Sequence, residues 1–397
     1  MTIRGHKTAI AAAITLLAAC GQVDDTSGVQ PDDDTAHDHD EESGDQPQTS
    51  GAEGTDPGEG TGAATSPTGN AEAGGGTTDG GSDDSNADGP PIVLDVGGIS
   101  DAGNGSCVTP PAANCDHLDD DPWHAFGLNC PGGAQTVTEE INLAGPSQIH
   151  VHTGNLGTHV PAPFPPQEGD KFVILSSGNA ADLTIPGFYA STGIGFGGGP
   201  LPPPLDTAPV SATDDCAADP SLIGTGDCSN TIQVQWDQGD GEAHDYAEMR
   251  FTAEVPQGTP GFAYNFAMFS TEYPVYYQSM FNDMYIAWLE SEIWTGNVSF
   301  DDMGNPISLN AGFLDYKDAP NDFDCPAPCN APELAGTAME GHAGTRWLTT
   351  SAGVVPGETM ELVLAVFDLS DGILDTVIIL DNFHWACVGG PPVTIPG

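Results

Sequence analysis

The sequence predicts an all-β protein, a β-sandwich or jelly-roll-like domain with long loops, preceded by a disordered acidic linker. Three observations carry this. The 397 residues include 52 Gly and 34 Pro, more than a fifth of the chain, as expected of many short strands joined by turns. From Pro91 onward apolar residues recur with period two in run after run, the pattern of half-buried strands. Between Gly21 and Pro90 there are 18 acids, no Lys or Arg and no aromatic residue. Such a segment buries too little apolar surface to offset the entropy of ordering.

Taken in order, residues 1–19 read as an export signal. Arg4 and Lys7 form a positive start, and Thr8 to Leu17 is a ten-residue apolar run. That is too short to span a hydrocarbon core of roughly 30 Å. It ends in Leu17-Ala18-Ala19-Cys20, which resembles the bacterial lipobox, and the resemblance implies that Cys20 is lipidated and becomes the acylated N-terminus. Gly21 follows instead of Asp, similar to signals that release lipoproteins to the outer membrane. Each buried acyl methylene contributes about 0.8 kcal/mol to such an anchor. The expectation is a lipid-anchored outer-membrane protein displayed at the cell surface, with the membrane as partner through the acyl chains alone.

Residues 20–90 form the linker. A neutral coil of that length spans about 45 Å, and like charges extend it further. His37 and His39, in Ala-His-Asp-His-Asp, read as part of a solvated polar run. The whole chain has 58 acids against 6 bases, a net charge of −52. Nothing here neutralises phosphates, so nucleic acid is excluded as a partner, and the charge argues against docking on anionic lipid head groups. Besides Cys20 there are eight cysteines: Cys107, Cys115, Cys130, Cys216, Cys228, Cys325, Cys329 and Cys387. In an oxidising compartment an even number predicts up to four disulfides. The pairing stays open, although Cys325–Cys329 and Cys216–Cys228 close short loops. Paired CxxC knuckles for zinc are absent from the sequence.

The strands follow. Ile232 to Trp236, Met249 to Val255 and Phe262 to Phe269 alternate with period two, and Met360 to Phe367 and Val377 to Leu380 add two more. Pro256-Gln257-Gly258, Asp301 to Pro306 and Pro356-Gly357 are turn clusters. Met280 to Ser291 fits a helix or a strand equally. This composition predicts two stacked sheets with edges covered by loops.

The run Phe262-Ala263-Tyr264-Asn265-Phe266-Ala267-Met268-Phe269-Ser270-Thr271-Glu272-Tyr273-Pro274, followed by Phe281-Asn282-Asp283-Met284-Tyr285, resembles the signature of the choice-of-anchor L domain. Val173-Ile174-Leu175-Ser176-Ser177-Gly178-Asn179-Ala180, Val355 to Thr359, Phe367 to Asp375 and Leu380-Asp381-Asn382-Phe383 extend the likeness across residues 168–388. It implies an exported bacterial protein, held by one of several kinds of anchor, and no particular activity. Residues 91–167 form a Cys-containing extension similar to segments that accompany this domain in myxobacterial lipoproteins, and 389–397 a tail.

Hard oxygen ligands make calcium the first candidate cofactor. Asp368, Asp371 and Asp375 lie within eight residues, Asp381-Asn382 closes the last strand, and Asn282 with Asp283 can join from the strand after Glu272. One structural Ca²⁺ would pin loops that repel one another; the alternative is carboxylates capping turns. His150 and His152 share a strand face, and with His159 make a zinc or copper candidate. Glu272, Tyr273, Tyr276, Tyr277 and Trp294, beside Tyr285 and Trp288, suit recognition of a sugar or peptide, or else fill the core. Nucleophile and metalloprotease motifs are missing, and Glu340-Gly341-His342 is at most half an acid/base pair. The expected function is non-enzymatic: binding or adhesion, with a glycan or a surface protein as partner. The alternatives are an extracellular hydrolase and an acidic coat component.

Overall fold

The computed structural model describes residues 107–112, 114–133, 137–187, 191, 194–195, 197–207, 232–301, 303–319 and 329–397. The signal, Cys20, the linker, Cys216, Cys228 and Cys325 lie outside the described residues.

Two antiparallel sheets face each other. In the first, β1 (Val137–Leu143), β4 (Ala243–Glu254), β12 (Thr359–Leu369), β6 (Met284–Glu290) and β7 (Thr295–Asn297) lie side by side, with β8 (Ile307–Ser308) also on β6. The second runs β14 (Val393–Pro396), β11 (Leu348–Gly353), β5 (Gly261–Ser270), β13 (Thr376–Ala386), β3 (Lys171–Ser176) and β2 (Ile149–Thr153). Two short strands, β9 (Tyr316–Lys317) and β10 (Ala343–Gly344), extend it from the end of β5. The predicted sandwich is the observed architecture, and within Met280 to Ser291 the strand β6 forms over Met284–Glu290.

The main core is the space between the sheets. Met249, Phe251, Leu362, Leu364, Tyr285 and Leu289 project into it from the first sheet. Val173, Leu175, Phe262, Tyr264, Phe266, Ile378 and Leu380 meet them from the second. The central strands are also buried on their outer faces. Ala267, Phe269, Val377 and Ile379 pack under Leu156, Phe164, Leu183 and Trp347. Val363, Ala365 and Phe367 pack under Leu201, Leu205, Ile232 and Trp236. This double burial explains why β5, β12 and β13 read as nearly continuous apolar runs.

Ile232 to Trp236 departs from the expected strand. Gln233–Trp236 is one turn of helix, α2. The alternation Ile-Gln-Val-Gln-Trp is ambiguous, because residues four apart also share a helix face. Val234 discriminates: it is 63% exposed, while Ile232 and Trp236 are both buried. A second short helix, α1 (Pro122–Phe126), follows Asp121, whose carboxylate caps the Trp123 N–H at 2.8 Å. Trp123 and Phe126 insert into the main core. The loop bearing α1 is closed by Cys115–Cys130, and Cys107–Cys387 ties the start of the described chain to the residue after β13. Cys329 is also disulfide-bonded.

Candidate functional site

The registers place many strand termini at one end of the sandwich. Thr376 opens β13 opposite Ser270 at the end of β5, and Val377 faces Ser176 at the end of β3. In the other sheet Phe367 pairs with Met284 at the start of β6, and Leu369 with Ala243 at the start of β4. The loops carrying Glu272, Asp283 and Asp375, and the end of β12 that carries Asp368, therefore gather at this end.

Strand alternation then dictates what meets there. On β12 the inward side chains Leu364 and Val366 are followed two residues on by Asp368. Ahead of the inward Tyr285 and Ala287 stands Asp283. On the opposite sheet Ile378, Leu175 and Met268 are inward, and the same parity leads to Thr376, Ser177 and Ser270. The apolar interior thus ends in a polar plug. Asp283 is its centre: Oδ1 accepts from the Leu369 N–H at 3.1 Å and Oδ2 from the Thr376 hydroxyl at 2.6 Å, which links the sheets. Asp368 interacts with Asp283 and with the Ser177 hydroxyl. The Asp375 carbonyl accepts from the Thr271 N–H at 3.2 Å and hydroxyl at 3.1 Å, one residue before Glu272. A methyl group added at Gly178 would lie 2.1 Å from the Asp375 carboxylate, so glycine is required where these loops touch.

Glu272, Asp283 and Asp368 are 3%, 1% and 2% exposed. Burial is the main force pushing all three carboxyls above the usual range, with neighbouring acids adding to it: Asp283 and Asp371 at Glu272, Asp371 at Asp283, and Asp283, Asp375 and Asp245 at Asp368. Glu272 Oε2 and Asp368 Oδ1 are buried and accept no hydrogen bond. Four of the six expected calcium ligands, Asp283, Asp368, Asp371 and Asp375, thus gather in one neighbourhood, together with Glu272, which the sequence pointed to as a recognition residue. Asp381 and Asn382 do not join them. They lie six and seven residues beyond Asp375 along an extended strand, so Asp381 is about 20 Å away. There Asp381 Oδ2 accepts from the Gln167 N–H at 2.5 Å, and the Asn382 amide donates to Asn265 Oδ1 at 2.7 Å. Asn282 is structural too: it donates to Gln235 Oε1 at 2.8 Å and accepts from the Asn310 N–H at 2.9 Å.

The expected histidine trio is not assembled. His152 packs on Phe172 with its Nε2 at 3.3 Å from the Asn155 carbonyl. Among the described residues the set of three whose ligand atoms lie mutually within 4.8 Å is Asp240, Glu242 and His244, on the segment entering β4. Of the recognition candidates, Tyr273 and Trp294 are core residues; the Trp294 Nε1–H donates to the Asn297 carbonyl at 3.3 Å. Tyr285 and Trp288 are fully buried as well. Half-buried Tyr277 stands edge-on to Tyr273 and carries Lys317 Nζ 5.0 Å from its ring centre. Glu340 and His342 do not pair: Glu340 accepts from the Gly336 N–H at 2.6 Å, and buried His342 meets the Tyr273 carbonyl at 2.7 Å.

The tip of the β5–β6 loop reaches water at this end, as does Ile373 of the β12–β13 loop. Val275, Tyr276 and Met280 are 56%, 37% and 46% exposed, with Phe281 edge-on to Tyr276 at 5.1 Å. Asn310 Oδ1 accepts from the Gln278 N–H at 2.6 Å, and the Ser370 hydroxyl donates to the Met280 carbonyl at 3.1 Å, so neighbouring loops brace the tip. Among the described residues no helix is long and apolar enough to cross a membrane. The chain matches no protein-family model, no curated protein and no solved structure.

Proposed function

We propose that this protein is an exported, lipid-anchored display module of the outer membrane whose sandwich binds a glycan or another surface protein without chemical turnover, in the manner expected of a choice-of-anchor L domain. The observation that carries the reading is the opposition of two ends. Cys107 is bonded to Cys387 beyond the far end of β13, whereas the braced, partly apolar tip Val275–Phe281 lies at the near end. Eleven residues of β13 separate them by about 35 Å. The tip and the Cys107–Cys387 bond thus lie at opposite ends of the sandwich. Exposed aromatic and thioether side chains offer contact area at modest ordering cost, and loops on a rigid scaffold are where binding residues concentrate.

A non-catalytic reading draws support from the burial of Glu272, Asp283 and Asp368. A glycosidase presents two carboxyls to its substrate, and these are sealed beneath their own loops.

The test is a glycan and surface-protein binding screen with the exported chain, comparing wild type with a Tyr276→Ala/Met280→Ala variant. The expected result is a ligand whose affinity falls at least tenfold in the variant while the melting temperature is unchanged. Turnover of polysaccharide or protein substrates would replace the reading by a hydrolase. Absence of any ligand, with cell-surface charge altered on deletion, would favour a coat component. Cys20→Ala is expected to release the protein from membranes, and continued co-fractionation with lipid would remove the anchor from the proposal.

A further inference from the structure

We propose that Glu272, Asp283 and Asp368, with Asp375 beside them, form a buried calcium site that locks the β3, β5–β6 and β12–β13 loops to one another. The inference stands apart from any ligand at the loop tip and begins with charge. Three carboxyls at most 3% exposed close the end of an apolar interior, and a fourth packs against Gly178. Burying like charges without a counter-charge is strongly unfavourable.

The lysines and arginines that could supply a counter-charge are engaged elsewhere. Beyond the signal the sequence has four bases. Lys171 pairs with Asp120 at 2.8 Å, Arg250 with Glu248 at 3.0 Å and Arg346 with Asp315 at 2.9 Å, while Lys317 sits over Tyr277. None of the groups that perturb Glu272, Asp283 or Asp368 is basic.

The second observation concerns hydrogen bonding. Polar atoms this deeply buried are nearly always satisfied, yet Glu272 Oε2 and Asp368 Oδ1 accept nothing. Two acceptors without donors, in a nest of acids, are arranged for a cation. The donor set consists of carboxylates and hydroxyls (Ser177, Thr376), hard oxygens of the kind Ca²⁺ takes six to eight at a time in flexible geometry. Mg²⁺ keeps several of its waters in rigid octahedral geometry, which a plug closed to solvent does not favour. No three of these acid oxygens lie mutually within 4.8 Å, so binding draws the Glu272 and Asp368 carboxylates inward. Asp240 and Glu242 of the other trio are exposed, beside the half-buried His244, and serve as the control.

The experiment is calorimetric titration of the chelator-treated, full exported chain with Ca²⁺ alone, alongside melts in excess Ca²⁺ and in EDTA. The expected result is one ion per chain, a Kd of about 10⁻³ M or tighter, as in extracellular modules, and a higher melting temperature with Ca²⁺. The response to Mg²⁺ should be at least tenfold weaker. Glu272→Gln and Asp368→Asn should each weaken Ca²⁺ binding at least tenfold, and Asp240→Asn/Glu242→Gln should leave it unchanged. A wild-type protein with no heat of Ca²⁺ binding and identical melts would overturn the proposal whether or not the variants fold. So would binding abolished by the Asp240/Glu242 variant and retained by the other two.

Discussion

Asp381 sits in β13 with its Oδ2 accepting from the Gln167 and Glu168 N–H groups, contacts that favour the charged form, yet burial outweighs them and raises its pKa from 3.8 to about 8. Glu168 adds repulsion. The unfolded chain releases this proton near pH 4 and the folded chain near pH 8. Stability carried by the protonated form is therefore complete below pH 4 and drains away as pH rises toward 8. In urea denaturation, the stability of wild type relative to Asp381→Asn is expected to fall by at least about 1.4 kcal/mol, one pK unit's worth, between pH 5 and pH 8. An equal offset at both values would contradict a raised pKa. Gly178 is a steric counterpart. Gly178→Ala forces a methyl into the space of the Asp375 carboxylate and is expected to lower stability by about 1–3 kcal/mol, the usual range for overpacking; a neutral result would mean that the two loops are not in contact.

Among the elements, α1 poses a problem of scale, since five residues cannot hold a helix by their own hydrogen bonds. Its stability comes from Trp123 and Phe126 in the core and from the Cys115–Cys130 closure. Trp123→Ala is thus expected to cost about 3–5 kcal/mol and Asp121→Ala, which removes only the cap, about 1 kcal/mol. Equal losses by denaturant titration would argue that the cap matters as much as the packing. Met249 to Val255 was legible as a strand because its alternation survives in β4, and Phe262 to Phe269 because aromatic and apolar residues that favour strands fill it, although both faces of β5 are covered. Ile232 to Trp236 was misread because five residues do not separate a period of two from one of four. Asp368, Asp371 and Asp375 were legible as a group, being held in one loop. Their meeting with Asp283 and Glu272 was only half legible, since it depends on which strands from opposite sheets come to face each other. Asp381 misled because a few residues in an extended strand cover a long distance.

At the scale of the molecule, hydrophobic layers and covalent links carry the fold, while the few bases contribute scattered ion pairs, among them Arg250 with the buried Glu248 and with Glu361. The Cys107–Cys387 bond closes a loop with a sequence separation of 280. The chain-entropy relation assigns a closure of that length about 5.6 kcal/mol. Cys107→Ala/Cys387→Ala is accordingly expected to lower the melting temperature by several degrees under oxidising conditions, more than any single surface change, and an unaltered melt would mean that the denatured chain is already compact. The bond also decides how the protein meets a mechanical load. Tension arriving along the backbone ahead of Cys107 crosses the sulfur bridge straight to the end of β13, a strand flanked by β5 and β3. A load entering there meets β13 along its length, between two hydrogen-bonded neighbours.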